Sequence, residues 1–229
     1  MVAVSALAAA LAWGMPVGAA GDGRLAVGPR PSITGQVRVV TRSSRRLASA
    51  GAYPGRTVTI APDHDPSELA NVVVFVEAPP VPSAPMTAVI RQIDEEFVPH
   101  LVAITAGSIV EFPNDDMLFH NVFSLSRTAV FDLGRYPRGR SKSREFAEPG
   151  IVKVYCHLHS HMSALIRVFD HPYFAIPDAE GRFAIAGLAP GAHKVVAWHE
   201  RVGNVTAIVS VTPGEPVDLS FLLPIAEDE

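Results

Sequence analysis

Short apolar segments recur along the chain, and their spacing is that of β-strands. Residues Ile33–Val39 alternate apolar with polar positions, while Asn71–Glu77 is a run of valines and one phenylalanine between two polar ends. Alternation with a period of two and an excess of β-branched residues both favour strands over helices. No segment shows a convincing helical periodicity, so the pattern predicts an all-β protein.

Regular spacing is clearest between Met86 and Phe169. Turn signals such as Pro113-Asn114-Asp115 and Glu148-Pro149-Gly150 separate the strand-like segments. Seven short strands without a helix predict a β-sandwich. Residues Arg127–Lys142 lack the pattern and are predicted to be an irregular insertion. The predicted strands are Ala88–Ile93, Leu101–Thr105, Ser108–Phe112, His120–Ser124, Ser143–Phe146, Ile151–Cys156 and Ser163–Phe169.

The flanking segments predict a second, smaller β-sandwich. The strand Ile33–Val39 is followed by a long loop, residues 41–68, with one short strand at Arg56–Ile60. The Pro-rich stretch Ala78–Pro85 is predicted to be a linker. The C-terminal elements are a hairpin at Phe174–Ile185 that turns at Asp178–Gly181, and strands at Val195–Trp198, Val205–Val211 and Val217–Leu223.

The composition fits two folded β-domains. The 229 residues are 48% hydrophobic and 18% charged, as expected of a globular chain long enough to bury two cores. Twenty prolines and seventeen glycines favour short strands joined by turns. The net charge of −4 gives no reason to expect nucleic-acid binding, which needs a strongly basic face.

Residues 1–20 are predicted to be a secretory signal peptide. They carry no charge, and an apolar stretch is followed by small residues, with cleavage expected after Ala19 or Ala20. No Lys or Arg precedes the apolar run, so an uncleaved membrane anchor is the alternative, since about twenty apolar residues can span a bilayer. Cleavage predicts a periplasmic or otherwise exported protein, and membrane association is expected only if the segment is retained.

The single cysteine belongs to the sequence Cys156-His-Leu-His159-Ser-His-Met162, directly after a predicted strand. It has no partner for an internal disulfide, so it is either an inert buried thiol or a thiol occupied by a ligand. A thiolate, two imidazoles and a weak thioether are the ligand set of a blue-copper electron-transfer site. Cys156, His159 and Met162 can converge from one short loop, and His120, which opens a strand after a turn, can supply the second imidazole.

Other histidines leave alternatives open. His157 and His161 flank His159, and strand alternation does not decide which imidazole faces the metal. His100 is either a further metal-site group or a structural residue, and His199 is expected to end a strand. Zinc fits less well, because structural zinc prefers two or more cysteines and catalytic zinc prefers three histidines or histidines with a carboxylate.

Residues from about Phe97 to Val168 resemble the cupredoxin family in the Cys-x2-His-x2-Met spacing and in the upstream His-Asn-Val. The resemblance implies a Greek-key β-sandwich with one mononuclear copper site near one end. The residues that it implies are His120, Cys156 and His159 as equatorial ligands, Met162 as axial ligand, and Asn121 as a hydrogen-bonding residue that ties the two ligand loops together.

The flanking segments resemble the carboxypeptidase-regulatory-like, or transthyretin-like, β-sandwich domains. Asp178–Phe183 and Gly187–Gly191 resemble their C-terminal turns, and Ile33–Val37 and Asn71–Phe75 match their opening strands. The alternative is that the N-terminal strands extend the copper sandwich. The resemblance implies a discontinuous outer domain, residues 32–80 plus 171–229, into which a copper domain, residues 84–170, is inserted.

A basic segment lies between Arg127 and Arg144, with Asp132 as its one acidic residue. In a chain that is acidic overall, this clustering predicts that an acidic redox partner docks near Arg127–Arg144. A solvated loop is the alternative.

The ligand set predicts one-electron transfer between partners in the periplasm, without substrate turnover, so the chain is not expected to be an enzyme. Copper storage or delivery is one alternative, with His157 and His161 as exchange ligands. Catalysis at an open copper position is another, if Met162 does not coordinate.

Overall fold

Strands dominate the protein. The computed structural model describes residues 32–42, 63–64 and 66–226, and within these ranges the one helical element is a 3-10 helix, Pro66–Asn71. The predicted all-β class is confirmed. The predicted signal segment 1–20 and the predicted strand Arg56–Ile60 lie outside the described residues. The strands are β1 Ser32–Arg42, β2 Asp63–His64, β3 Val72–Val76, β4 Thr87–Val89, β5 Arg91–Ile93, β6 Glu96–Val98, β7 Leu101–Thr105, β8 Ser108–Pro113, β9 His120–Ser126, β10 Ala129–Tyr136, β11 Ser141–Phe146, β12 Gly150–Tyr155, β13 Ser163–Phe169, β14 Phe174–Ala175, β15 Arg182–Ala186, β16 Gly191–His199, β17 Gly203–Val211 and β18 Val217–Ala226.

Strands β4 to β13 form one β-sandwich, called here the central sandwich. One sheet has the order β10-β9-β12-β13-β7 and the other the order β11-β8-β4, with the β5–β6 hairpin beside them. Strands β9, β10 and β11 follow one another, and β12 then returns to pair with β9, which is Greek-key connectivity. The strands alternate inward and outward residues, so Val110 and Phe112 of β8 are buried while Glu111 is exposed. Each such buried apolar side chain contributes about 1.5–3 kcal/mol of transfer free energy.

The predicted irregular insertion at Arg127–Lys142 is wrong, because most of it forms β10 and the start of β11. Strand β10 is at the edge of its sheet, so its outward positions tolerate polar residues. Its register with β9 also shifts between Asp132 and Arg135, beside Gly134 with a φ of 67°. This bulge interrupts the period of two that would identify a strand in the sequence.

The remaining strands form a second sandwich, called here the outer sandwich. One sheet has the order β15-β1-β18, with β2 paired to β1, and the other has the order β14-β3-β16-β17. The N-terminal strands therefore pair with C-terminal strands, and β1 runs parallel to β18. The predicted hairpin at Phe174–Ile185 is wrong, since β14 pairs with β3 and β15 pairs with β1 in different sheets. Independent folding of residues 84–170 stays a prediction.

Two glycines allow backbones to approach closely inside the outer sandwich. A Cβ atom on Gly35 would lie 1.8 Å from the carbonyl oxygen of Leu219 on the neighbouring strand. A Cβ atom on Gly181 would lie 2.1 Å from the carbonyl oxygen of Val37, and Gly181 has a φ of +79°, which L side chains rarely adopt. These positions fix how closely β15 and β18 can pack on β1.

The two sandwiches meet through a small apolar cluster. Val73, Phe75, Val196 and Trp198 of the outer sandwich pack against three residues of the central sandwich: Leu101, Leu165 and Phe169. The cluster is separate from the core of either sandwich.

Candidate metal centre

Three potential metal ligands meet at one end of the central sandwich. His120 Nδ1 lies 3.9 Å from Cys156 Sγ, and His159 Nδ1 also lies 3.9 Å from Cys156 Sγ. The two Nδ1 atoms are 3.0 Å apart. The three atoms lie close enough together to hold one metal ion. Within the described part of the chain, no other group of three or more His, Cys, Asp or Glu residues does so.

The strand pairing explains why these distant residues converge. His120 is the first residue of β9, and Cys156 directly follows the last residue of β12. Because Tyr155 of β12 pairs with Phe123 of β9, both ligands lie near the same end of the sheet. His159 is in the turn that follows, which is closed by a hydrogen bond from the Met162 amide to the His159 carbonyl oxygen at 3.1 Å.

A carboxylate holds the buried His120 ring from behind. The His120 side chain is fully buried, and its Nε2 donates to Asp116 Oδ2 at 2.8 Å. Asp116 also accepts hydrogen bonds from the amides of Asp94 and Glu95 at 3.1 and 2.8 Å. Burial opposes ionisation of Asp116, but the hydrogen bonds from Glu95, His120 and Asp94 outweigh it and lower its pKa. An ionised Asp116 keeps the proton of His120 on Nε2 and leaves Nδ1 free to bind a metal.

The loop that carries Asp116 is itself held by Asn114. The Asn114 side-chain amide donates to the carbonyl oxygens of Leu118 and Tyr136 at 2.9 and 3.1 Å, and its oxygen accepts from the Asp116 amide at 2.9 Å. Asn114 is fully buried. The loop before His120 is therefore tied both to itself and to the end of β10.

Asn121 links the two ligand segments. Its Oδ1 accepts from the amide of His157 at 2.7 Å, and its side-chain amide donates to Asp132 at 3.3 Å. The hydrogen bond to His157 is present, and the role that the family resemblance implied for Asn121 beside a bound metal stays a prediction. The ring of His157 is stacked on Phe123 with centroids 3.7 Å apart, and its Nε2 lies 3.7 Å from Asp132. The His157 ring is thus engaged outside the metal group.

His159 forms the exposed edge of the site. Cys156 is 4% exposed, whereas the His159 side chain is 20% exposed. Its Nε2 lies 3.7 Å from a carboxylate oxygen of Glu95, and His161 Nε2 lies 3.8 Å from the same oxygen. Strand alternation left open which imidazole of the loop faces the metal position. In the structure, His159 directs Nδ1 at Cys156, whereas His161 is largely exposed.

Met162, His100 and His199 were the other residues considered for the metal site. Met162 is 1% exposed and packs in the same core cluster as Cys156, and its coordination of the metal stays a prediction. His100 has a structural environment: its Nδ1 lies 3.0 Å from the Ser163 carbonyl oxygen and its Nε2 lies 3.1 Å from Glu200. His199 is buried at the end of β16, with Nε2 3.1 Å from a carboxylate oxygen of Glu68.

The donor set fits copper. One thiol and two imidazole nitrogens, with a thioether sulfur nearby in the sequence, suit a single copper ion better than zinc, which favours additional cysteines or carboxylates. Two of the three donor residues, His120 and Cys156, are also shielded from solvent. The residues that would hold the ion are His120, Cys156 and His159.

Sequence reasoning missed Asp116, Asn114 and Glu95. Asp116 is four residues before His120, a spacing that allows contact. However, Asn114-Asp115-Asp116 has the composition of an ordinary turn, and a turn alone was sufficient to explain the presence of Asp116. Glu95 belongs to the β5–β6 hairpin, and nothing local in the sequence connects that hairpin to the metal loop. Aspartate at this spacing before a ligand histidine was the one usable signal.

Exposed apolar and basic side chains surround the site end of the sandwich. Met117, Leu118 and Phe119, directly before His120, are all exposed. Arg135 is paired in register with Asn121, and Arg138 donates to the sulfur of Met117.

No protein-family model and no curated protein matches the sequence. Among solved structures, the chain is similar to amicyanin from Paracoccus versutus, with 21% identity, a TM-score of 0.34 and coverage of 42% of this chain and 97% of that one. It is also similar to a purple cupredoxin from Nitrosopumilus maritimus, with 26% identity, a TM-score of 0.33 and coverage of 36% and 99%. A copper-containing nitrite reductase from Thermus scotoductus has 23% identity and a TM-score of 0.35, with coverage of 42% of this chain and 25% of that one.

Within the described residues, no helix has the length and apolar character needed to cross a membrane.

Proposed function

We propose that the protein is a mononuclear copper protein that carries single electrons between partners in an exported compartment. The observation that carries the proposal is the convergence of one cysteine sulfur and two histidine Nδ1 atoms in a mostly buried site. Bound copper supplies one-electron chemistry by alternating between two oxidation states. The exported location is supported by the prediction that residues 1–20 are a secretory signal peptide.

The chain's own residues supply rigidity and access. Asp116 and Asn121 fix the orientations of the two ligand segments through hydrogen bonds, so the donor atoms need little rearrangement. Burial of Cys156 and His120 keeps water away from the donors. The exposed edge of His159 provides the shortest route from the donors to a docked partner.

Copper delivery is the second candidate, and one observation favours it. His161 is 61% exposed and shares the Glu95 carboxylate with the ligand His159. An exposed imidazole beside a ligand histidine can accept a metal ion in transit. Catalysis at an open copper position is a third candidate, which requires that Met162 does not coordinate.

Copper reconstitution followed by visible spectroscopy tests the proposal. Electron transfer at a cysteine-ligated site predicts intense visible absorption from sulfur-to-copper charge transfer, lost reversibly on reduction. Weak colour with metal that a chelator removes rapidly would favour delivery. A spectrum that changes when a small ligand such as azide is added would indicate an open position. A protein that binds no copper would contradict the proposal.

We further propose that an acidic redox partner docks at the site end of the basic segment. Arg135, Arg138 and Arg140 are exposed, and Arg140 and Arg138 belong to the turn that contacts Asn114 and Met117. Arg127 lies in the turn at the other end of the β9–β10 hairpin, about 20 Å along the strands from His120. Arg135, Arg138 and Arg140 are therefore better placed than Arg127 to attract a partner to the exposed edge of His159.

Replacing Arg138 with glutamine is expected to slow oxidation of the reduced copper protein by ferricyanide severalfold at low ionic strength. Ferricyanide is an anionic probe that the net charge of −4 repels overall, so a local attraction must come from basic residues near the site. The difference should shrink as salt is added, because the Debye length falls to about 8 Å at 0.15 M. The matched control is Arg127→Gln, which should leave the rate unchanged. Equal effects of both replacements would contradict this docking position.

A further inference from the structure

Arg167 lies between the two sandwiches and is surrounded by aromatic rings. Its guanidinium carbon is 5.1 Å from the ring centroid of Phe75, 5.4 Å from that of Phe169 and 5.4 Å from that of Trp198. Cation–π contacts of this kind hold the guanidinium in place and reduce its freedom. Among the described residues, no oxygen accepts a hydrogen bond from the guanidinium N–H groups, so these donors are available to a ligand.

No carboxylate among the described residues forms an ion pair with Arg167. Arg167 takes part in no ion pair and no side-chain hydrogen bond there, and burial lowers the pKa of its guanidinium. Partly buried charges in proteins are normally paired, since removal from water without a partner costs free energy. By contrast, Arg182 pairs with both Asp178 and Glu180.

A groove of about 550 Å³ opens at Arg167. Phe75 and Phe169 supply apolar walls, and His171 is 4% exposed. Burial lowers the pKa of His171, although neighbouring Asp170 and its own backbone oppose this, so its ring is neutral at pH 7. Glu77 also lines the groove, but Lys194 pairs with it at 2.8 Å.

We propose that this groove binds a small organic anion, with its carboxylate on the guanidinium of Arg167 and its apolar body against Phe75 and Phe169. A guanidinium can bind a carboxylate through two parallel hydrogen bonds, and the flanking rings favour a flat apolar body. Asp170 also lines the groove and forms no ion pair among the described residues, so its negative charge would repel a second anionic group, and the ligand is expected to carry only one.

The groove is separate from the metal centre. Strand β12 begins at Gly150, which lines the groove and pairs with Val168, and ends at Tyr155, next to Cys156. The two sites are therefore about 17 Å apart along β12. This site goes beyond the proposed electron transfer, and its test needs no copper.

Titration of the full-length, copper-free protein with benzoate tests the proposal by NMR. Benzoate is expected to shift the Arg167 Nε–H signal saturably, with a dissociation constant on the order of 1 mM. Acetate, which has the carboxylate without the ring, should bind at least about tenfold more weakly, because it lacks the apolar contacts. Salt is kept constant throughout.

The matched variants are Arg167→Gln and Arg182→Gln. The first is expected to weaken benzoate binding at least tenfold, and the second, which changes an arginine that is already paired, should leave it unchanged. An unshifted Arg167 signal in the wild-type protein at 20 mM benzoate would overturn the proposal even if Arg167→Gln fails to fold. So would equal binding by wild type and Arg167→Gln.

Discussion

Cys156→Ser is expected to abolish the intense visible absorption of the copper-loaded protein and to weaken copper binding by at least about a hundredfold. The thiolate is both the origin of the charge transfer and the softest of the three donors, and a hydroxyl replaces neither property. At a copper concentration about a thousand times the wild-type dissociation constant, the wild-type protein should gain about 4 kcal/mol of stability, and a variant that binds a hundredfold more weakly should gain about 1.4 kcal/mol. Absorption spectra and thermal unfolding with and without copper measure both effects.

The copper-free state provides the internal control for this replacement. Serine is close to cysteine in size, and its hydroxyl would lie beside the Nδ1 atoms of His120 and His159, which can accept its hydrogen bond, so the metal-free variant should unfold at nearly the same temperature as wild type. The matched histidine variant is His161→Ala, because His161 is 61% exposed and its Nδ1 is outside the donor group. Retention of the visible band in Cys156→Ser would disprove the assigned ligand set.

Asp116→Asn is expected to raise the reduction potential of the copper site by tens of millivolts, up to on the order of 100 mV. The sign follows from the charge: an ionised Asp116 favours the more positive oxidised ion, so its removal favours the reduced ion. The magnitude is that of one unit charge acting across the width of an imidazole ring, on the order of 2 kcal/mol at an effective dielectric constant of about 20. Partial access of water to Asp116 reduces this value.

A copper-free measurement separates this positioning effect from general damage. In the wild-type protein, ¹⁵N chemical shifts should show the His120 proton on Nε2, and Asp116→Asn should shift the tautomer equilibrium toward Nδ1. The control is the neighbouring Asp115→Asn, since Asp115 is partly exposed, pairs with Arg91 at 2.6 Å and makes no contact with His120. Similar changes in potential for both variants would show that Asp116 has no specific effect.

The candidate ligand residues that the structure brings together could be predicted from the sequence because their chemistry is local. Cys156 and His159 are three residues apart on one turn, and the residue type alone determines whether the donor atom is sulfur or nitrogen. The partner of His120 could not be predicted in the same way. Asp116 is held by the amides of Asp94 and Glu95, and this contact exists only after the β5–β6 hairpin has folded against the metal loop.

The same distinction applies to the fold. The strands with a strict alternation, such as β8, were predicted nearly to the residue. Strand β10 was missed because a bulge and its edge position removed the alternation, and the hairpin Phe174–Ile185 was predicted wrongly because pairing partners are set by distant strands. A turn at Asp178–Gly181 is present, but the two segments that it joins belong to different sheets.

The parallel pairing of β1 with β18 has a consequence for biosynthesis. Ile33 pairs with Val217, so at least the 183 residues between them must be made before β1 acquires this neighbour. Until then, Val37 and Val39 belong to an open strand edge, which is a site of self-association in nascent chains. The candidate donor residues, by contrast, are complete at His159, so a newly made chain can bring them together before β18 has been synthesised.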